Sequence, residues 1–202
     1  MIKAVLFDWG GVMSNGGRGG ELDARLSKNL NISLVEAQDL LKLVWNDYVK
    51  GDINEDELWQ KIEAAYGKPT TIEQRNIWNK WEHTSLLPQM RNLVDRLKKS
   101  DYKVGLVSNT ILNTASEIRF HGGYDIFDFV VLSCEVKTAK PSKAIYQLAM
   151  GNLSLIRPNE VVFIDDQDRC LIPARELGMA TVLAISPEQV IHDLELLLVS
   201  RY

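Results

Sequence analysis

Met1-Ile2-Lys3-Ala4-Val5-Leu6-Phe7-Asp8-Trp9-Gly10-Gly11-Val12-Met13 is the stretch on which the fold turns. Ala4 to Phe7 is wholly apolar and has no helical period, the pattern of a strand buried on both faces of a parallel sheet. The run stops at a carboxylate, Asp8, and the glycines that follow leave the backbone free to turn tightly. An acid at the carboxyl end of a parallel strand stands where open α/β sheets bind their ligands. The plainer role for Asp8 is a turn cap, so the question is whether other strands end in matching chemistry.

They do. Tyr102 to Val107 is an apolar run ending in Ser108-Asn109-Thr110, and Phe129 to Leu132 ends in Ser133. Val161 to Ile164 ends in Asp165-Asp166, and Ala180 to Ile185 ends in Ser186. Helical patterns separate these runs, notably Gln89 to Ser100, Ser142 to Asn152 and Cys170 to Leu177, the last closed by Gly178 at a C-cap position. Ser186-Pro187 announces a final helix carrying Val190, Leu194, Leu197 and Leu198. Five short apolar runs alternating with helices predict an α/β fold with a doubly wound parallel sheet.

The alternation breaks once. Ser14 to Gly20 is too rich in glycine for regular structure and reads as a mobile hinge or flap; no Gly-Lys-Ser/Thr follows, so it is not a phosphate-cradling loop. From Glu21 to about Leu86 apolar residues recur at helical spacing, with Leu22, Leu26 and Leu30 as one stripe and Leu34, Ala37, Leu40, Leu41, Val44, Trp45 and Tyr48 as another. Ser33 with Glu36, Asn54 ahead of Glu55-Asp56-Glu57, and Thr71 with Gln74 mark helix starts. Trp45, Trp59, Trp78 and Trp81 lie at helical spacing here and are expected in its core, with lining a substrate pocket the alternative for one of them. The organisation expected is a core domain of residues 1–13 and 87–202 with a helical-bundle cap of residues 14–86 inserted.

The composition is that of an ordinary globular chain: 202 residues, 46% hydrophobic and 25% charged. A net charge of −4 gives no general attraction to nucleic acid or to anionic membranes, so any phosphate must be held locally. No apolar run approaches the roughly 20 residues of a membrane span, and the amino terminus has no signal-peptide layout. Cys134 and Cys170 suit free thiols in a reducing compartment. A cytoplasmic protein acting on a small molecule is expected.

Because the crossovers are right-handed, all parallel strands deliver their carboxyl ends to one edge. That edge gathers Asp8, Ser108-Asn109-Thr110, the loop carrying Lys137 and Lys140, and Asp165-Asp166. Two carboxylates about 5 Å apart repel by roughly 3 kcal/mol at an effective dielectric near 20, so the three acids call for a cation. Hard oxygen ligands suit Mg2+, which accepts phosphate oxygen in its shell. The same parts serve phosphoryl transfer to a carboxylate: Asp8 as nucleophile, Ser108, Asn109 and backbone N–H groups on the phosphate oxygens, Lys140 offsetting charge on both. Singly, each has a duller role as cap or surface residue; together, in this order, they make a site.

Phe7-Asp8-Trp9-Gly10-Gly11-Val12, Val107-Ser108-Asn109-Thr110, Lys140-Pro141-Ser142-Lys143-Ala144-Ile145-Tyr146 and Val162-Phe163-Ile164-Asp165-Asp166 resemble the four ordered motifs of the haloacid dehalogenase (HAD) superfamily. The resemblance spans essentially the whole chain. It implies a Rossmannoid core with a helical cap inserted after the first motif, and a Mg2+-dependent phosphatase acting on a small phosphorylated metabolite through an aspartyl-phosphate. By that likeness Asp8 is the nucleophile, Ser108 and Asn109 the phosphate-binding positions with Trp9 beside them, and Lys140 the third-motif lysine. Asp8, the Gly10 carbonyl, Asp165 and Asp166 are the metal group, with Asp166 the direct ligand. Lys137 is expected to be a surface residue.

One departure matters. Most phosphatases of this superfamily carry a general acid/base aspartate two residues after the nucleophile, and here Gly10 stands there. Loss of a positioned acid typically costs on the order of 10²–10⁴ in rate. Either the leaving group needs little help, as an anomeric sugar oxygen does, or the cap lends an acid, or catalysis is weak. The Asp8-x-Gly10-Gly11-Val12 form resembles a subgroup that includes a sugar phosphatase and lies close to the amino-terminal domains of soluble epoxide hydrolases. Two other readings stand beside the phosphatase: 2-haloacid dehalogenation, which needs neither metal nor that acid, and a catalytically weak binding protein. His83, near the expected cap–core junction, is the histidine to test as a substitute acid. Cys170, close behind Asp166, lacks any neighbour that marks a reactive thiol and is expected to be structural.

Overall fold

The computed structural model describes residues 1–16, 21–78 and 85–199. Its core is one five-stranded sheet: β1 (Ala4–Phe7), β2 (Lys103–Ser108), β3 (Phe129–Leu132), β4 (Val161–Asp165) and β5 (Ala180–Leu183), in the order β3-β2-β1-β4-β5 and parallel throughout. Each strand lies within two residues of its expected bounds. The apolar run of β1 is explained by what covers it. Val5 and Phe7 face one core cluster, Ala4 and Leu6 the other, and all four are fully buried, so neither phase of the two-residue period meets water.

The connecting helices follow their cues. In the described chain they are α1 (Glu21–Leu30), α2 (Leu34–Val49), α3 (Glu55–Tyr66), the single turn α4 (Ile72–Arg75), α5 (Pro88–Lys99), α6 (Leu112–Phe120), the single turn α7 (Ser133–Val136), α8 (Lys143–Gly151), α9 (Asp168–Glu176) and α10 (Pro187–Val199). The capping boxes at Ser33, Asn54 and Thr71 are all formed, each polar side chain accepting from the N3 amide while the N3 side chain accepts in return. Helix α6, between β2 and β3, had no strong sequence cue: its buried face is only Ala115 and Ile118.

Helices α1 to α4 pack around their own cluster, which includes Leu26, Leu30, Ala37, Leu41, Val44, Leu58, Trp59 and Ile62. Trp59 belongs to that interior, but Trp45 does not: it stays 37% exposed on α2, as Leu34 does at 48%. A stripe spanning that much of a helix's circumference runs beyond the face a single neighbour covers, and Trp45 falls on its edge. Ser14 departs from expectation too. It is buried, with its hydroxyl donating to the Trp9 and Gly16 carbonyls, so the loop's start is anchored. Residues 17–20, Trp81 and His83 lie outside the described residues.

Three contacts tie the helical block to the sheet's carboxyl edge. The Ser133 hydroxyl, fully buried, donates to the Val49 carbonyl at 2.6 Å and accepts the Thr110 N–H at 2.9 Å. Lys137 is indeed exposed, and its ammonium donates to the Gly51 carbonyl. Asn113 donates to Glu55 at 2.7 Å, and the other Glu55 oxygen accepts from the Trp78 indole N–H at 2.6 Å.

Candidate active site

Strand order places the acids. β1 and β4 are neighbours with Phe7 opposite Ile164, so one step further along the pair Asp8 stands beside Asp165. On the other side Phe7 pairs with Leu106, which brings Ser108 to the same edge. The Asp8 N–H donates to the Ile164 carbonyl at 2.9 Å, extending the ladder to the last residue before the turn. Residues 157 positions apart in sequence thereby come together: Asp8, Asp165 and Asp166 each offer a carboxylate oxygen, and these lie within 4.8 Å of one another.

Lys140 enters from the far side. Its ammonium lies 2.9 Å from Asp8 Oδ1 and 2.6 Å from Asp165 Oδ2, with a side chain only 1% exposed. Burial alone would push that ammonium down; the two carboxylates reverse the shift and hold it above its usual range. Burial pushes Asp165 up to about 6, while Lys140 and the Gln167 N–H, 2.8 Å from Oδ1, pull the other way. Asp166 is raised by burial and then by the like charge of Asp8. Unlike its neighbour, it has a buried oxygen, Oδ1, with no hydrogen-bond partner.

The cluster therefore holds three carboxylates against one ammonium, an excess of negative charge in a buried place. An orphaned carboxylate oxygen costs on the order of 1–3 kcal/mol or more unless something cationic or donating meets it. An oxygen-only donor set of this kind fits a hard divalent cation. Gly11 makes room for the Asp166 carboxylate. Gly11 has φ 69°, and a Cβ there would fall 2.5 Å from Asp166 Oδ2, so the turn after Asp8 admits only glycine if Asp166 is to keep its place.

The other expected residues take distinct positions. Ser108 is buried at the end of β2 and lines the cavity above the acids. Asn109 lines it too, but its amide is engaged. Nδ2 donates to the Lys140 carbonyl at 2.9 Å and Oδ1 accepts the Lys140 N–H at 2.8 Å, which clamps the loop that aims Lys140. Trp9 donates its backbone N–H to Asp8 Oδ1 at 2.7 Å, while its ring is buried edge-on to Tyr124 at 5.3 Å. Trp9 thus packs into the core and also lines the cavity. Gly10 also lines the cavity. Burial pushes the Cys170 thiol up to about 12, which fits an inert structural role.

Sequence reasoning allowed one of the tryptophans a place on a substrate pocket but did not say which residues face the acids. A cavity of about 700 Å³ runs from Asp8 and Lys140 to Leu22, Leu41, Trp45, Ile77 and Trp78 of the helical block. Single-helix periodicity does not say which face of a bundle looks at the sheet edge. Trp45, at the margin of its stripe with Asn46 and Asp47 after it, was the available signal.

A family model described as haloacid dehalogenase-like hydrolase matches residues 31–184. The chain belongs to the haloacid dehalogenase-like hydrolases. It is 37% identical over 109 residues to bifunctional epoxide hydrolase 2 of Sus scrofa, a match covering 49% of this chain and 19% of that protein, so the chain spans only a fraction of that relative's length. It is 29% identical over 196 residues to the glyceraldehyde 3-phosphate phosphatase of Methanocaldococcus jannaschii, covering 90% of this chain and 84% of the relative. Among solved structures, a HAD family enzyme of Bacteroides thetaiotaomicron in complex with magnesium and inorganic phosphate superposes with TM-score 0.70 at 27% identity, covering 90% of this chain and 93% of that one. This HAD-family hydrolase is an enzyme on the α/β fold its strand ends announce. No helix among the described residues is long and apolar enough to cross a membrane.

Proposed function

We propose that this HAD-family hydrolase is a Mg2+-dependent phosphomonoesterase for a small phosphorylated metabolite, working through an aspartyl-phosphate on Asp8, with residues 14–86 acting as the cap over the site. The observation that carries it is the carboxylate cluster. Asp8, Asp165 and Asp166 outnumber the single ammonium of Lys140, and Asp166 Oδ1 is buried without a partner. The magnesium and phosphate held by the B. thetaiotaomicron enzyme support the same ligands here.

Asp8, Asp166 and the Gly10 carbonyl would hold the ion, and Asp165, paired with Lys140, would complete the acidic group. Bound there, the cation offsets the excess carboxylate charge and draws electron density from the phosphoryl oxygens. Asp8 Oδ1 takes both the Trp9 N–H and the Lys140 ammonium, which leaves Oδ2 as the attacking oxygen. That oxygen forms its bond to phosphorus as the bond to the leaving oxygen breaks; water then hydrolyses the aspartyl-phosphate, restoring Asp8 and releasing phosphate. Lys140 stays charged throughout and neutralises the gathering negative charge. Asn109 keeps the Lys140 loop in position, and Ser108 offers its hydroxyl to the phosphoryl oxygens.

Dehalogenation fits less well, since the extra acids would repel an anionic 2-haloacid. A panel of phosphomonoesters and 2-chloropropionate, assayed with Mg2+ and with EDTA, tests the proposal. Metal-dependent phosphate release that Asp8→Asn abolishes is the expected result; metal-independent halide release, or no turnover of any ester, would overturn it.

A further inference from the structure

The substrate's leaving group is written into the cavity twice, once in its wall and once in what stands beside Asp8. At about 700 Å³ the space lies within the range that encloses a drug-sized ligand, far more than a phosphorylated three-carbon unit fills. Its far wall sets Leu22, Leu41, Ile77 and two indoles, Trp45 and Trp78, among polar and charged residues of the same helices. Trp78 is set in place before any ligand arrives, its N–H on Glu55 at 2.6 Å and its ring on Tyr48 at 5.3 Å, with Glu55 also taking the Asn113 amide of the core. Trp45 keeps 37% of its surface exposed on α2 and lines that wall. Indole faces offered to a cavity suit a flat ring, which stacks on them with a gain beyond simple area burial.

The second observation is chemical. Position 10, where a proton donor would face the leaving oxygen, is glycine, and no histidine or tyrosine is among the described residues lining the cavity. Among the described lining residues the carboxylates besides Asp8 are Glu21 and Asp23 on α1, and Glu21 faces Arg25 at 3.7 Å. A described lining with glycine at position 10 and neither histidine nor tyrosine suits an oxygen that departs readily as an anion. A phenolic oxygen does so, with a pKa about 10 against nearly 16 for water, which aliphatic hydroxyls resemble.

Resting on the phosphatase reading above, we propose that the substrate is an aryl phosphate, the phosphate monoester of an aromatic hydroxyl, whose ring lies against Trp45 and Trp78. Asp8 Oδ2 bonds to phosphorus, the P–O bond to the ring oxygen breaks with its electron pair on that oxygen, and the phenolate takes its proton from solvent water. Hydrolysis of the aspartyl-phosphate then yields inorganic phosphate and free Asp8. The overall reaction consumes one water and gives one phenol and one phosphate.

The test uses the full chain with Mg2+ and three sets of esters: substituted phenyl phosphates of graded leaving-group pKa, 2-naphthyl against phenyl phosphate, and aliphatic phosphates. The expected result is kcat/KM falling steeply as leaving-group pKa rises, aliphatic esters at least about 100-fold slower than phenyl phosphate, and a KM for the naphthyl ester roughly 3- to 10-fold below phenyl, the range stacking supplies. Trp45→Ala should erase that naphthyl advantage without changing the slope on leaving-group pKa. Gly10→Asp should raise aliphatic turnover by about 10²-fold or more and flatten the slope. Should Gly10→Asp not fold, the wild-type slope still decides. Equal kcat/KM for aliphatic and aryl esters overturns the proposal, as does a naphthyl advantage that survives both Trp45→Ala and Trp78→Ala. So does a collapse of the rate, with a changed slope, in Glu21→Gln or Asp23→Asn, which would reveal a cap-borne acid. Absence of phosphate release from every ester, unaltered by Asp8→Asn, would instead sink the phosphatase reading itself.

Discussion

Lys140 is the residue on which the charge balance rests. Its ammonium lies between Asp8 and Asp165 with almost no contact with water, so removing it uncovers carboxylates in a low-dielectric place. Lys140→Met is expected to destabilise the fold by about 3 kcal/mol and to abolish turnover; the midpoint of denaturant unfolding checks the first, and added Mg2+ should recover part of the loss. Asp166 makes the complementary prediction. Wild-type protein should gain thermal stability on adding Mg2+, and Asp166→Asn should lose most of that gain while keeping its metal-free melting temperature within a few degrees. A calorimetric scan with and without Mg2+ reads both. Gly11→Ala, forced into a left-handed φ with its Cβ against Asp166, should cost about 1–3 kcal/mol and also blunt the Mg2+ response.

At the scale of elements, local signals and local structure agree closely. The capping boxes at Ser33, Asn54 and Thr71 are each formed by residues three apart, so no tertiary knowledge was needed to foresee them. Ser33→Ala should cost about 1 kcal/mol, read from the unfolding midpoint. At the opposite end of the sheet from the acids, Glu160 ties the entry of β4 to β1. Its carboxylate accepts from Lys3 and from the Arg157 N–H, which holds its pKa down to about 2. An unfolded glutamate titrates near 4.3, so the folded state favours the charged form. The resulting stability is fully present above that value and is lost as pH falls from about 4.3 toward 2. Glu160→Gln should therefore melt lower than wild type at pH 7, and the gap should narrow steadily below pH 4. The Glu63 carboxylate, held by Thr70 and Arg75, adds acid sensitivity of the same sign within the helical block.

Across the whole molecule, Ser133 is a fully buried link between the helical block and the sheet edge. Its hydroxyl serves the Val49 carbonyl and the Thr110 N–H at once, so Ser133→Ala leaves two buried backbone groups without that partner. A loss of about 2 kcal/mol is expected, with hydrogen exchange rising at the end of α2 and around Thr110 ahead of the sheet interior. Much of this was legible beforehand. The strands showed as apolar runs because both faces of the sheet are covered, and Asp8, Ser108, Asp165 and Asp166 showed because each stands at or just beyond a strand end; Lys140, in the loop beyond α7, showed through its place in the order of the motifs. Asn109 was harder. Its type suited a phosphate ligand, but the choice between a ligand and the Lys140 backbone depends on a loop 31 residues away. Trp45 was harder still, since the spacing that puts tryptophan in a helix core also puts it on a cavity wall.

The sequence by itself determined the parallel sheet, the helix starts and the membership of the acidic group, because these follow from period, capping chemistry and residue type over short spans. Only the tertiary structure decided how those parts are spent: that Asp165 is taken up by Lys140 and Gln167 while Asp166 keeps an unpartnered oxygen, that Asn109 braces the Lys140 loop as well as lining the cavity, and that two indoles line the same cavity. The physical reason is range. Propensity and capping act within a few residues, whereas burial, charge balance and cavity shape are set by which distant segments the chain packs together.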